Sequence, residues 1–122
     1  MLGNKKIFSI SDVSNISGFS AHTLRFYEKI GLMPFVKRSA SGKRIYDEYD
    51  VQILKSISVF KKTGMTNKQI KDLGSLYLEG NKKVKEQRDL LLSHQEDITK
   101  KIDELSEALD IIEEKLEKSC FL

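Results

Sequence analysis

A chain of 122 residues, 39% hydrophobic and 32% charged, is too apolar for disorder and holds no apolar run long enough to cross a bilayer, so one compact domain with an appendage is expected. Its basic start, from Met1 to Phe8, lacks the apolar stretch of a signal peptide, and a single cysteine, Cys120, cannot form an intrachain disulfide; both point to a reducing, cytoplasmic setting. The net charge of +3 is unevenly spread: residues 1–80 hold 13 Lys and Arg against 7 Asp and Glu, whereas residues 81–122 hold 8 against 11. The N-terminal part is therefore the candidate for contact with a polyanion.

With Pro34 the only proline, helix is the default and glycines become the punctuation. Ser9 and Asp12 read as a capping box opening a helix through Ile16, with Ile10, Val13 and Ile16 on one face and Gly18 at its end. Ser20 caps a second helix that runs to about Ile30 and stops at Gly31. Two short helices joined by a tight glycine-containing turn form a helix-turn-helix, whose second helix enters the major groove. On that helix Leu24, Phe26, Tyr27 and Ile30 are expected to face the core, and Ala21, His22, Arg25 and Lys29 the outside.

From Gly31 to Tyr46 the pattern changes to two extended stretches, Phe35 to Arg38 and Lys43 to Tyr46, around a turn at Ser39 to Gly42. Gly42 supplies the positive φ of the tip, and Lys37, Arg38, Lys43 and Arg44 concentrate four cations within eight positions. Beside a reading helix such a cluster favours phosphate contact over a merely solvated charge run. Asp47 and Asp50 then cap a helix bearing Val51, Ile53, Leu54, Ile57 and Phe60, closed by Gly64. Thr66 and Gln69 form another capping box, for a helix with Ile70, Leu73, Leu76 and Tyr77 ending near Gly80.

The last segment has the cleanest period. Val84, Arg88, Leu91, Gln95, Ile98, Ile102, Leu105, Leu109, Ile112 and Leu116 alternate steps of four and three, a heptad seam with two polar interruptions. A lone helix would leave that seam wet, so pairing with a second copy of the chain is expected, Leu91, Ile98, Ile102, Leu105, Leu109, Ile112 and Leu116 forming the contact.

The ordered set Ile10-Ser11-Asp12-Val13, Gly18-Phe19-Ser20, Thr23-Leu24-Arg25-Phe26-Tyr27-Glu28, Gly31-Leu32-Met33-Pro34, Gly42-Lys43-Arg44-Ile45-Tyr46 and Gly64-Met65-Thr66 with Ile70 resembles the MerR family of transcription regulators in order and spacing, over roughly residues 7–75. The resemblance implies DNA contacts from Ser20, His22, Thr23, Arg25, Tyr27 and Lys29 around the second helix, and from Lys37, Arg38, Gly42, Lys43, Arg44 and Tyr46 in the wing. Arg25 stands first, because a guanidinium on the exposed face can bind a guanine edge or a phosphate bidentately. Thr23 serves either as a helix cap or as a contact, and Tyr27 either packs in the core or turns its hydroxyl to a phosphate. The family usually has an aromatic residue where Lys43 stands and an arginine where Ile45 stands. Its metal-responsive members carry paired cysteines after the dimer helix and its aldehyde-sensing members a cysteine at the position of Val59, so one Cys120 supports neither chemistry.

The expected architecture is therefore all-α with a small β-hairpin: a winged helix-turn-helix DNA-binding domain over residues 1–80, a dimerising coiled-coil helix over 81–118 and a short tail over 119–122. The partners expected are double-stranded promoter DNA, a second copy of the chain and RNA polymerase at the promoter, at the nucleoid of a bacterial cytoplasm, with no membrane, metal or cofactor. The resemblance implies a regulator whose inducer-bound dimer distorts the promoter spacer. An architectural DNA-bending protein of the excisionase kind is the alternative, although such modules lack a long seam, and a coiled-coil adaptor that never touches DNA fits poorly with a basic head. No nucleophile elbow, phosphate loop or metal-ligand spacing supports an enzyme.

Overall fold

The computed structural model describes residues 6–119 and 121–122; Cys120 and the side chain of Tyr77 lie outside the described residues. The chain divides into two compact units, Met1–Leu78 and Glu79–Leu122.

Local chemistry sets the element boundaries of the first unit. Helix α1 (Ile10–Ser17) opens on a reciprocal capping box between Ser9 and Asp12 and closes on Gly18, whose φ of 80° suits a residue without Cβ. Helix α2 (Ala21–Lys29) is capped by Ser20, and after it Gly31, at φ 84°, turns the chain so that the Leu32 and Met33 amides both donate to the Tyr27 carbonyl, at 2.9 and 3.2 Å. Two-residue strands β1 (Lys37–Arg38) and β2 (Arg44–Ile45) pair antiparallel, Lys37 opposite Ile45 and Arg38 opposite Arg44. A bridge between Phe8 and Tyr46 ties the base of this hairpin to the segment preceding α1. Helix α3 (Glu48–Lys62) begins at the Asp47–Asp50 capping box, and α4 (Asn67–Leu78) at the Thr66–Gln69 pair.

The core is assembled around α3, which packs against α1 and α4 while α1 also packs on α2. Val13, Leu24, Tyr46 and Leu54 are its most deeply buried side chains, joined by Tyr27, Met33, Val51, Ile57, Met65 and Ile70. Full burial of such side chains contributes roughly 1.5–3 kcal/mol each. Ile16, expected on the apolar face of α1, is instead 47% exposed: it lies in the last turn of the helix, and Val13 is the residue of α1 that is buried.

In the second unit a 3-10 turn (Gly80–Lys83) leads into α5 (Val84–Lys118), 35 residues long. At ~1.5 Å per residue this helix spans about 52 Å. None of its residues is buried, and Val84, Leu91, Ile102, Leu105, Leu109, Ile112 and Leu116 of the seam are 44–73% exposed in the single chain; Ile98 is half-buried. Leu92 and Ile111 widen the exposed apolar surface beside the seam. Among the described residues no helix is long and apolar enough to cross a membrane.

Candidate nucleic-acid interface

The outward face of α2 follows from its helical angles. Taking Leu24 as zero and 100° per residue, His22, Arg25 and Lys29 fall between roughly 100° and 160°, opposite the arc between Leu24 and Tyr27. All three are exposed. Phe26 falls at roughly 200° on the same scale, on the solvent side rather than the core side. It is 43% exposed, whereas Ala21, expected outside, is half-buried. Phe26 therefore lies on the side opposite to that expected, Ala21 is partly covered, and the outer face is His22, Arg25, Phe26 and Lys29.

Ser20 and Thr23 form a local network at the start of α2: the Ser20 hydroxyl accepts from the Thr23 amide at 3.1 Å and lies 2.9 Å from the Thr23 hydroxyl. Ser20 is exposed and Thr23 half-buried. Tyr27 is 5% exposed, its ring meeting Phe19 edge-on at 5.2 Å between centroids, and burial raises its phenol pKa. Tyr46, another expected DNA contact, is 2% exposed and its hydroxyl has no hydrogen-bond partner among the described residues. Both tyrosines sit in the core instead of on the surface, because each belongs to a segment whose inward face is already fixed by Leu24 or by the bridge to Phe8.

The wing is a tight hairpin. The Gly42 amide donates to the Ser39 carbonyl, the Ser39 amide to the Lys43 carbonyl, and Gly42 takes φ 83°, where a side chain would be strained. The register sets Arg38 directly opposite Arg44, an arrangement of like charges that would destabilise the pair if left alone. Glu28, on α2, resolves it. Its carboxylate accepts from Arg38 Nη2 at 3.1 and 3.0 Å and from Arg44 Nε at 2.9 Å, with the Glu28 and Arg44 side chains only 19% and 23% exposed. Partial burial makes these charge-assisted bonds stronger than ordinary surface pairs. Lys37 and Lys43 are exposed and enter no ion pair among the described residues.

Arg25 and Lys29 on the helix, and Lys37 and Lys43 on the wing, are exposed, while Glu28 fastens wing to helix. Glu28 carried no role in the sequence reading. Its signals were its place at the end of the Thr23 to Glu28 motif and an acid standing inside a basic stretch. No group of three or more His, Cys, Asp or Glu side chains that could hold a metal occurs among the described residues.

Residues 8–75 match the family described as MerR HTH family regulatory protein. Among curated relatives, the HTH-type transcriptional regulator YyaN of Bacillus subtilis is 35% identical over 91% of this chain and 89% of its own length. Among solved structures, HiNmlR, described as a MerR family regulator lacking the sensor domain and bound to promoter DNA, superposes with a TM-score of 0.85 at 33% identity, over 91% of this chain and 88% of that one. A MerR family transcriptional regulator from Bacillus thuringiensis gives a TM-score of 0.82 at 26% identity, over 93% of this chain and 99% of that one. With the helix-turn-helix, the wing and the long terminal helix all in place, the chain belongs to the MerR family of DNA-binding transcription regulators and is not an enzyme.

Proposed function

We propose that this protein is a homodimeric, sequence-specific regulator that binds a pseudo-palindromic operator in double-stranded promoter DNA and acts on RNA polymerase there, at the nucleoid of the cytoplasm, in response to an inducer. The winged head, residues 1–80, places α2 in the major groove, where Arg25 reads a base edge or clamps a phosphate and His22 and Lys29 flank it. Lys37 and Lys43 meet the neighbouring backbone. The helix over 81–118 pairs with its copy through the exposed seam and fixes the distance between two heads, which on one face of DNA must be about 34–36 Å or a multiple of it.

Repression and activation then share one site. The inducer-bound dimer distorts the spacer between promoter elements, a deformation costing on the order of 1–6 kcal/mol that helix and wing contacts offset. The observation that carries this reading is the exposed cationic face of α2 joined by Glu28 to a basic wing. The relative HiNmlR, bound to promoter DNA, supports it.

Footprinting on the region upstream of the protein's own gene, with sedimentation of the complex, tests it. Protection of a two-fold symmetric site by two chains per duplex is expected; absence of protection, or a single chain per duplex, contradicts it.

A further inference from the structure

We propose that Glu28 is a positioning residue for DNA recognition: through Arg38 and Arg44 it sets the angle of the wing against α2, so that these two arginines carry geometry while Lys37 and Lys43 carry the wing's phosphate charge. The proposal rests on the DNA-binding function given above and deepens it.

Four cations in a hairpin would ordinarily count as four phosphate ligands, each adding about 0.9 to the slope of log affinity against log salt. The ion-pair geometry divides them. Arg38 and Arg44 stand opposite each other in one of the two registered pairs of the wing, and both converge on one carboxylate at 2.9–3.1 Å. An arginine whose Nε already donates to a part-buried carboxylate must break a charge-assisted bond before it reaches a phosphate. Arg44, 23% exposed, is the more committed of the two. The lysines occupy the other positions of the same hairpin, exposed and without such a partner among the described residues.

The arrangement also explains an acid beside the reading face. A carboxylate close to DNA repels phosphate, and its presence is useful only if it does something a neutral residue cannot. Glu28 lies one residue from Lys29 and three from Arg25 in sequence, yet at 19% side-chain exposure it is turned toward the wing. It cancels the repulsion between paired arginines and joins two elements separated by 10 and 16 residues along the chain. Wing and helix must meet the groove and the flanking backbone together, so their relative angle decides specific binding much more than random binding.

The test measures the salt dependence of binding by the full-length protein to two duplexes of equal length, one from the region upstream of its own gene and one of random sequence. Lys37→Ala and Lys43→Ala are each expected to flatten the slope by about 0.9 on both duplexes. Arg44→Ala is expected to leave the slope unchanged and weaken the upstream duplex about tenfold or more. Glu28→Gln is expected to weaken the upstream duplex similarly while random DNA binds as well or better, since two arginines are released; Glu28→Asp restores part of the specific affinity. Thermal unfolding of each variant shows whether the head still folds. Arg44→Ala flattening the slope as the lysine variants do, or Glu28→Gln weakening both duplexes equally in a folded head, would overturn the proposal. If the unsubstituted protein binds neither duplex, DNA binding itself fails, and this role of Glu28 with it.

Discussion

Asp50 shows how one residue can serve local structure at a global cost. Its carboxylate closes the α3 capping box by accepting from the Asp47 amide at 3.0 Å, yet the residue is only 5% exposed. Burial raises its pKa from the ordinary 3.8, as does the Asp47 carboxylate, against a lowering by the Asp47 amide and Lys37. A carboxyl whose folded pKa is raised favours folding when protonated, so its contribution is present below the unfolded value and is lost as pH rises through the folded one. Asp50→Asn keeps an acceptor for the Asp47 amide and removes the titration. Its stability relative to the natural chain is therefore expected to be greater at about pH 7 than at about pH 4, by denaturant titration at both. A difference that does not change with pH would contradict this origin. Residue-level reasoning from the sequence placed the cap but not its burial, because a cap is set by neighbours three residues apart and burial by tertiary packing.

At the scale of elements, the boundaries were largely legible. Ser9 with Asp12, Ser20, Asp47 with Asp50, and Thr66 with Gln69 all cap the helices expected of them, since capping is a contest among groups within one turn. The sides of α2 were legible only in part: Phe26 is apolar, but its angle puts it outside, and angle prevailed over hydrophobicity. The wing-to-helix ion pairs were not legible at all, because their spacing of 10 and 16 residues follows no helical or strand period. For α5 the heptad seam is the element's defining feature, and in the single chain Leu109 lies 55% exposed in its least interrupted stretch. With the seam paired as proposed above, Leu109→Lys would place an unpaired ion in it, a cost of several kcal/mol. Monomers in ultracentrifugation, with helical signal retained in the head, are expected; a persistent dimer would place the dimer surface elsewhere.

The whole molecule combines a basic head with an acidic helix, and that asymmetry, together with the order of motifs, made the family legible before any coordinates. What stayed hidden is which cations of the head are committed to the fold and which remain for DNA. On the function proposed above, Arg25 is the residue on which DNA binding depends most: it is exposed on the outer face of α2 and outside the clamp that holds Arg38 and Arg44. The most direct measurement is fluorescence anisotropy of a labelled duplex from the region upstream of the protein's own gene, titrated with the natural chain and with Arg25→Ala. The natural chain should bind it more tightly than a random duplex, and Arg25→Ala should lose roughly 1–3 kcal/mol of that affinity with fold and dimer intact. Equal affinity of the folded variant and the natural chain would contradict the assignment of this face to DNA.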